Sequence, residues 1–290
     1  MVKPYEVLEG TIDIHVHAGP DLFPRPLDEI DVVRQAKEVG MRALVLKSHF
    51  TTNADRVYSI RKQIEGIDVF GSVVLNHAVG GINPEAVFAA LNFGAKRVEM
   101  PTVDAATHVK MFGRTYPWSK IKLPEKEGIS IFQPDGQPVP GLKEIFSLVA
   151  AHDAFLSTGH LTAPERKYLV SEAKKTGVKK ILVDHADLDI VSVSVEEQKE
   201  LADMGALIEH SFTPCMHLRQ RLDPRKIVEA IRAVGADRCV VSSDMGQPVN
   251  PIPVEGFRMF ITTLRHLGIS QDDIDAMTKI NPAKLLNLSN

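Results

Sequence analysis

Thr11-Ile12-Asp13-Ile14-His15-Val16-His17-Ala18-Gly19 is the stretch from which the rest of the chain can be read. Apolar and polar residues alternate along it, the period-two pattern of a β-strand. Residues two apart in a strand share a face, so His15 and His17 are expected to project together. Two neutral imidazoles side by side form half of a metal site. Two polar residues on a solvated strand face would read the same way, so the rest of the chain has to decide.

Residues 26–40 follow with apolar side chains at helical spacing, and Gly40 stands where a helix C-terminus favours glycine. Met41–His49 is nearly continuous in apolar residues, as in a strand covered on both faces of a parallel sheet. A helix over about 54–65 leads to a third strand, 69–77. Asn83-Pro84-Glu85 opens the next helix with an N-cap and a proline. A fourth strand, 95–101, and a helix near 105–112 come next. From about Tyr116 to Gly141 the chain is rich in Pro, Gly and Lys, with a short apolar patch at Ile129–Phe132. A long segment of this kind is expected to be a loop or small hairpin, a lid insertion over 115–141. The rhythm then resumes. Helices over 142–152, 164–176, 196–204 and 224–234 alternate with strands 154–160, 180–185, 206–210 and 238–244. Helices over 254–267 and 272–286 finish the chain.

Eight strand–helix units in 290 residues predict a single α/β domain over 1–290, a (β/α)8 TIM barrel with closing C-terminal helices. An open doubly wound sheet is the competitor, but it seldom uses eight such regular units. With 44% hydrophobic and 24% charged residues the composition is that of an ordinary globular protein. A formal net charge of −3 gives no electrostatic reason to expect nucleic acid or an anionic membrane as partner. No apolar run approaches the roughly 20 residues that span a bilayer. Met1–Glu6 lacks the apolar core of a signal peptide. Cys215 and Cys239 are the two cysteines, too few for a disulfide framework, so a cytoplasmic setting is expected.

Seven of the 11 histidines, His15, His17, His49, His77, His160, His185 and His210, end predicted strands. In a barrel of this kind the strand C-termini converge on one mouth, which holds the active site. Glu99 and Asp244 end the fourth and eighth strands. Imidazoles and carboxylates ringed around one pocket suit a divalent metal, zinc above all.

His15-Val16-His17, His160, His185 and Asp244 in this order, with Ile280-Asn281-Pro282-Ala283-Lys284-Leu285-Leu286 near the C-terminus, give the chain its resemblance to a known family. Over essentially its whole length it resembles the amidohydrolase superfamily of metal-dependent (β/α)8-barrel hydrolases. Gly80-Gly81-Ile82-Asn83-Pro84 leans toward the amidohydrolase-related branch, which also contains decarboxylases and hydratases. The resemblance implies that His15, His17 and Asp244 hold one metal, and that His160 and His185 bind a second or face the substrate. A two-metal centre needs a bridging anion from strand four, for which Glu99 is the candidate; a salt bridge to Arg97 or Lys47 would explain Glu99 equally. One or two ions are expected, zinc first, with manganese or iron also accommodated.

Lys47 and His49 share a strand face beside the His15–His17 pair. Lys47 could neutralise a substrate anion, be carboxylated and bridge metals, or form a structural ion pair. His77 and His210 could steer the substrate or be satisfied by backbone groups. Arg114 and Arg166 could reach a substrate carboxylate, but their loop and helix contexts favour solvation. His108, His152, His217 and His266 are expected on the polar surface, Cys239 in the core, and Cys215 near the mouth. No phosphate-binding glycine motif implies a nucleotide.

The activity expected from the resemblance is hydrolysis. A metal-activated water would cleave an amide, lactone, imide or ester-like bond in a small polar or anionic substrate. Asp244 would act as general base, with His185 or Lys47 polarising the carbonyl. The alternatives are a metal-dependent lyase, decarboxylating or hydrating a small carboxylic acid, and a catalytically inactive binding protein. A homo-oligomer is expected from the way such barrels associate.

Overall fold

Among the described residues, runs rich in branched apolar residues form nine strands: β1 (Ile12–His17), β2 (Ala43–Lys47), β3 (Asp68–Phe70), β4 (Ser72–Val74), β5 (Arg97–Glu99), β6 (Phe155–Ser157), β7 (Lys180–Val183), β8 (Leu207–Ser211) and β9 (Cys239–Ser242). This computed structural model describes residues 5–289; Met1–Pro4, the start of the stretch lacking a signal-peptide core, and Asn290 lie outside them. All strand pairs are parallel, in the order β1-β2-β3 and β4 through β9. β3 and β4 are two halves of one barrel strand interrupted at Gly71, which restores the expected count of eight. A Cβ on Gly71 would come within 2.7 Å of the Ala54 Cα, so only glycine admits that approach. Asn53 bridges the break: its side-chain oxygen accepts from the Ser72 N–H at 2.8 Å. The ring closes where the His17 N–H donates to the Met245 carbonyl at 2.9 Å and the Asp244 N–H to the His15 carbonyl at 3.0 Å.

The opening strand does not keep the strict alternation expected of it. Ile12 pairs with Ala43 and His17 with Lys47, but the register shifts between Asp13 and Val16, so two residues of β1 oppose one of β2. This bulge reverses the parity of the strand. Ile12 and Ile14 can then join the apolar floor of the barrel while His17 still faces the same interior above them. Asp13 secures the turn of the chain, accepting from the His15 N–H at 3.1 Å and the Ser243 N–H at 3.2 Å.

The outer helices are α1 (Glu29–Glu38), α2 (Ala54–Arg61), α3 (Pro84–Asn92), α4 (Ala106–Phe112), α5 (Leu142–Ala151), α6 (Ala163–Lys175), α7 (Val195–Asp203), α8 (Pro224–Val234) and α9 (Pro253–His266). Their apolar faces, such as Val32, Val33 and Ala36 of α1, pack against the outside of the strands. The final stretch is not one helix. It divides into α10 (Gln271–Asp275), a π-helical turn over Ala276–Ile280, and α11 (Asn281–Leu286). Pro282 has no N–H to continue the helical ladder, which accounts for the interruption. Asn281 ties this end to β9, donating to the carbonyls of Ala236 at 2.9 Å and Cys239 at 2.8 Å. Leu285 and Leu286 then plug the floor formed by Ile12, Ile14, Ala43, Val45, Phe155, Leu182 and Val240.

Above that apolar layer the interior becomes charged. Arg97, wholly buried, donates to the Ile14 carbonyl at 2.9 Å and to Asp184 Oδ1 at 2.9 Å. Its Nε lies 3.1 Å from Glu99 Oε2, an ion contact without hydrogen-bond alignment. The segment between α4 and α5 carries two isolated bridges, Ala105 to Ile129 and Phe132 to Pro138. Its Tyr116 and Trp118 pack edge-on against Phe23 at 5.1 and 5.8 Å. Among the described residues no helix is long and apolar enough to cross a membrane.

Candidate metal centre

His15 and His17 leave the end of β1, and Asp244 leaves the chain just after β9, to which β1 is joined. His15 Nε2 lies 3.3 Å and His17 Nε2 3.1 Å from the same oxygen, Asp244 Oδ1. Ligands about 2.0–2.1 Å from a tetrahedral ion stand roughly 3.3–3.4 Å apart, so both nitrogens lie near ligand spacing from that oxygen, and all three atoms lie within 4.8 Å of one another. Beside them His185 keeps a buried Nδ1 that has no partner among the described residues. Both His185 (φ 43°) and Asp244 (φ 50°) hold the left-handed backbone that non-glycine residues seldom adopt. Strain of this kind persists where surrounding contacts impose it. At Asp244 the carbonyl accepts from Thr213 Oγ1 and from Gln247 Nε2. Gly246 passes so near that a Cβ would meet the His17 carbonyl oxygen at 2.0 Å, so glycine is required there.

The electrostatics suit a cation. Burial first, then the positive charges of Lys47 and Arg25 among others, hold His15, His17 and His185 well below the ordinary histidine value. Each is therefore a neutral imidazole with a lone pair to offer. Burial pushes the Asp244 carboxyl up to about 7, with Lys47 acting against it. A carboxylate in this place lacks the countercharge that a divalent ion would supply. These residues therefore fit a divalent metal by donor type, spacing and charge.

The two histidines of β1 are set differently. His15 Nδ1 faces Glu209 Oε1 at 3.0 Å. A carboxylate only accepts, so Nδ1 carries the proton and Nε2 keeps its lone pair. His17 Nδ1 instead receives an N–H from Arg25 at 3.3 Å, which puts the ring proton on Nε2 toward Asp244. Holding an ion at that atom requires the proton to leave and Arg25 to turn away.

The remaining candidates separate. Lys47 and Glu99 are both buried and paired, Nζ to Oε1 at 2.7 Å, and Lys47 Nζ lies 3.1 Å from His15 Nε2. Glu99 thus stands between Lys47 and Arg97 and belongs to neither group of convergent donors, His15–His17–Asp244 or His15–His185–Glu209. His160 packs edge-on to His185, with ring centroids 5.2 Å apart, and shares a 3.1 Å contact with His108 Nδ1. His108 donates from Nε2 to the Thr115 carbonyl at 2.7 Å, so its Nδ1 accepts from His160 and leaves His160 Nε2 free. His49 lines the pocket, between Thr102 Oγ1 and the Tyr116 hydroxyl, each at 3.1 Å. His77 lies away from it, bonded to the Glu127 carbonyl at 2.8 Å on the 3-10 turn that follows β4. His210 lies away from it too, 2.8 Å from Asp187. Period two explains this: Glu209 faces the barrel interior, so His210 faces outward.

Three positions depart from what the sequence suggested. His108 is buried in the pocket wall, not on the surface, and burial lowers it to about 4. Arg114 and Arg166 are not solvated but paired, with Asp104 at 2.6 Å and Glu197 at 2.8 Å. Cys215 is half-buried, and burial pushes its thiol up to about 12. Glu209, Arg25, Tyr116 and Trp118 carry no motif signal, yet all stand in or beside the site. Burial would raise Glu209, but Arg97 and the donors around it hold it below the ordinary carboxylate value. Arg25, Tyr116, Trp118 and Arg219 complete the wall of a cavity of about 30 Å³.

Solved structures share this fold. An amidohydrolase from Pseudomonas aeruginosa is 15% identical, with a TM-score of 0.67 over 99% of this chain and 98% of that one. A lactonase from Listeria monocytogenes is 14% identical, with a TM-score of 0.62 over 100% and 97%. A 2,6-dihydroxybenzoate decarboxylase from Rhizobium is 12% identical, with a TM-score of 0.55 over 96% and 99%. The barrel expected from the resemblance to the amidohydrolase superfamily is the barrel of these proteins, and at such identities the likeness is one of fold. No curated protein matches the sequence. Residues 10–209, from the edge of β1 to Glu209, match the family described as "Family of unknown function (DUF6282)", and the chain belongs to that family.

Proposed function

We propose that the chain is a metal-dependent hydrolase that cleaves an amide, lactone, imide or ester-like bond in a small polar or anionic substrate. The observation that carries this is the convergence of His15 Nε2 and His17 Nε2 on Asp244 Oδ1 beside the unpartnered His185 Nδ1. A divalent ion held by His15, His17 and Asp244, zinc by preference for nitrogen and carboxylate donors, would supply Lewis acidity and a water activated near neutral pH.

The chain's own residues do the rest. Asp244 Oδ2, which makes no hydrogen bond among the described residues, would take the proton of the attacking water and return it to the leaving group. His185 and Lys47 line the same pocket and would face the carbonyl oxygen as it gains charge. His160, His49 and Arg219 would orient the substrate. Burial holds the Tyr116 phenol well above its ordinary value, so it remains a neutral donor. A cavity of about 30 Å³ admits a water or an ion but not a substrate. Tyr116 and Trp118 form part of its wall, which supports a lid role for residues 115–141, opening for entry. A homo-oligomer is proposed from the way such barrels associate. The two free cysteines suit a reducing cytoplasm.

A second activity has a specific observation in its favour. Glu99 is committed to Lys47 and Arg97, which removes the bridging anion and favours a single ion. A one-metal site also serves a lyase acting on a carboxylic acid. The two are separated by incubating the zinc-reconstituted chain with small lactones, amides and carboxylic acids in heavy-oxygen water. Label in a carboxylate newly formed by bond cleavage supports hydrolysis, release of carbon dioxide or label added to an uncleaved carbon skeleton supports the lyase, and turnover surviving His15→Ala/His17→Ala contradicts both.

A further inference from the structure

Glu209 is a wholly buried carboxylate to which the proposed mechanism gives no part. It stands with His15 and His185 in a group whose donor atoms lie within 4.8 Å of one another. Two roles are open to it, ligand of an ion or anchor of the ligands.

Counting bonds favours the anchor, since Oε1 is fully used and Oε2 keeps one lone pair. Oε1 accepts from His15 Nδ1 at 3.0 Å and from the Ser242 hydroxyl at 2.7 Å, and Oε2 accepts from the His185 backbone N–H at 3.0 Å. A carboxylate oxygen has two lone pairs, so Oε1 is saturated by protein donors. On the other side of the ring, His15 Nε2 faces Asp244. The His185 backbone, in its left-handed conformation, is held by the same carboxylate. His17 has no such partner, since its Nδ1 meets the donor Arg25.

The geometry points to Glu209 as a positioning residue for the metal centre: from β8 it fixes the His15 ring with its metal-facing nitrogen unprotonated and pins His185 by its backbone. Outer partners of this kind orient the ligand and raise its basicity. The inference rests on the proposed metal site. It adds that the His15 tautomer is preset, with only the Lys47 ammonium at 3.1 Å to be displaced from its Nε2, whereas His17 must change its tautomer and release Arg25.

The test is a titration of zinc, and separately manganese, against a chromophoric chelator with the parent chain, Glu209→Gln and Ser242→Ala. Glu209→Gln keeps an acceptor but removes the charge, and should weaken metal binding by about 10–100-fold with one site per chain retained. Ser242→Ala removes one donor to Oε1 and should weaken binding a few-fold. Circular dichroism of the metal-free proteins confirms that each is folded. Affinity within twofold of the parent in Glu209→Gln would reduce Glu209 to a structural role and overturn the inference. Complete loss of the site in a folded Glu209→Gln chain would make it a ligand and also overturn it. If that variant does not fold, unchanged affinity in Ser242→Ala overturns the inference by itself. A parent chain that binds neither metal would instead remove the metal site on which all of this rests.

Discussion

Glu99 and Glu209 are the same residue type, both wholly buried and both on strands inside the barrel, and they have different surroundings. Glu99 on β5 is flanked by two cations, Lys47 Nζ at 2.7 Å and Arg97 Nε at 3.1 Å. Glu209 on β8 is met by an imidazole N–H, a hydroxyl and a backbone N–H. A carboxylate between two cations is neutralised and has little left for a metal. One whose direct contacts are neutral donors, with Arg97 acting on it only through space, keeps its charge and can polarise the histidine it touches. Residue type and burial inside the barrel therefore do not set the role; the neighbours do.

The comparison is broken most severely by removing the charge of Glu99. Glu99→Gln leaves the Lys47 ammonium buried without its partner, and loss of one partner of a buried pair costs about 3–5 kcal/mol. Urea unfolding should show that loss while metal stoichiometry is retained. Unchanged stability with a lost metal site would reassign Glu99 as a ligand. Glu209→Gln should behave in the opposite way, with metal affinity down about 10–100-fold and a smaller effect on unfolding. If both variants lose stability alike and neither loses metal, the contrast between them fails.

Cys215 sharpens the contrast as a buried acid whose charged neighbours are anions. Burial, then Asp187 and Asp223, push its thiol up to about 12 from an ordinary 9.0. The folded chain therefore keeps the proton where the unfolded chain loses it, so this group erodes stability as pH rises from about 9 toward 12. At pH 9, alkylation of Cys215 by iodoacetamide should be at least roughly tenfold slower in the folded chain than in urea. Peptide mass mapping separates it from Cys239. Equal or faster reaction in the folded chain would show a stabilised thiolate, as a catalytic cysteine would have.

Much of this was legible in the sequence because it rests on periodicity. The strand–helix units, the convergence of His15, His17, His160 and His185 and the place of Asp244 follow from where apolar runs stop. Parity was harder to read. In Leu207-Ile208-Glu209-His210-Ser211 either Glu209 or His210 can face inward, and the histidine looks the better ligand. The pairing of β8 with β9 turns Glu209 to the interior and sends His210 to Asp187. In β1 the bulge between Asp13 and Val16 is invisible to an alternating pattern, because it depends on Asp13 bonding to β9's end. His108 was missed because α4 alone does not reveal its inward face. That face is set by Thr115 and the segment beyond it.

Metal content tests the central claim most directly. The chain, stripped with chelator and reloaded with zinc or manganese, is assayed by elemental analysis beside His15→Ala/His17→Ala. The account predicts one ion per parent chain and none in the double variant. No ion above background in the parent, or the same content in both, would contradict it.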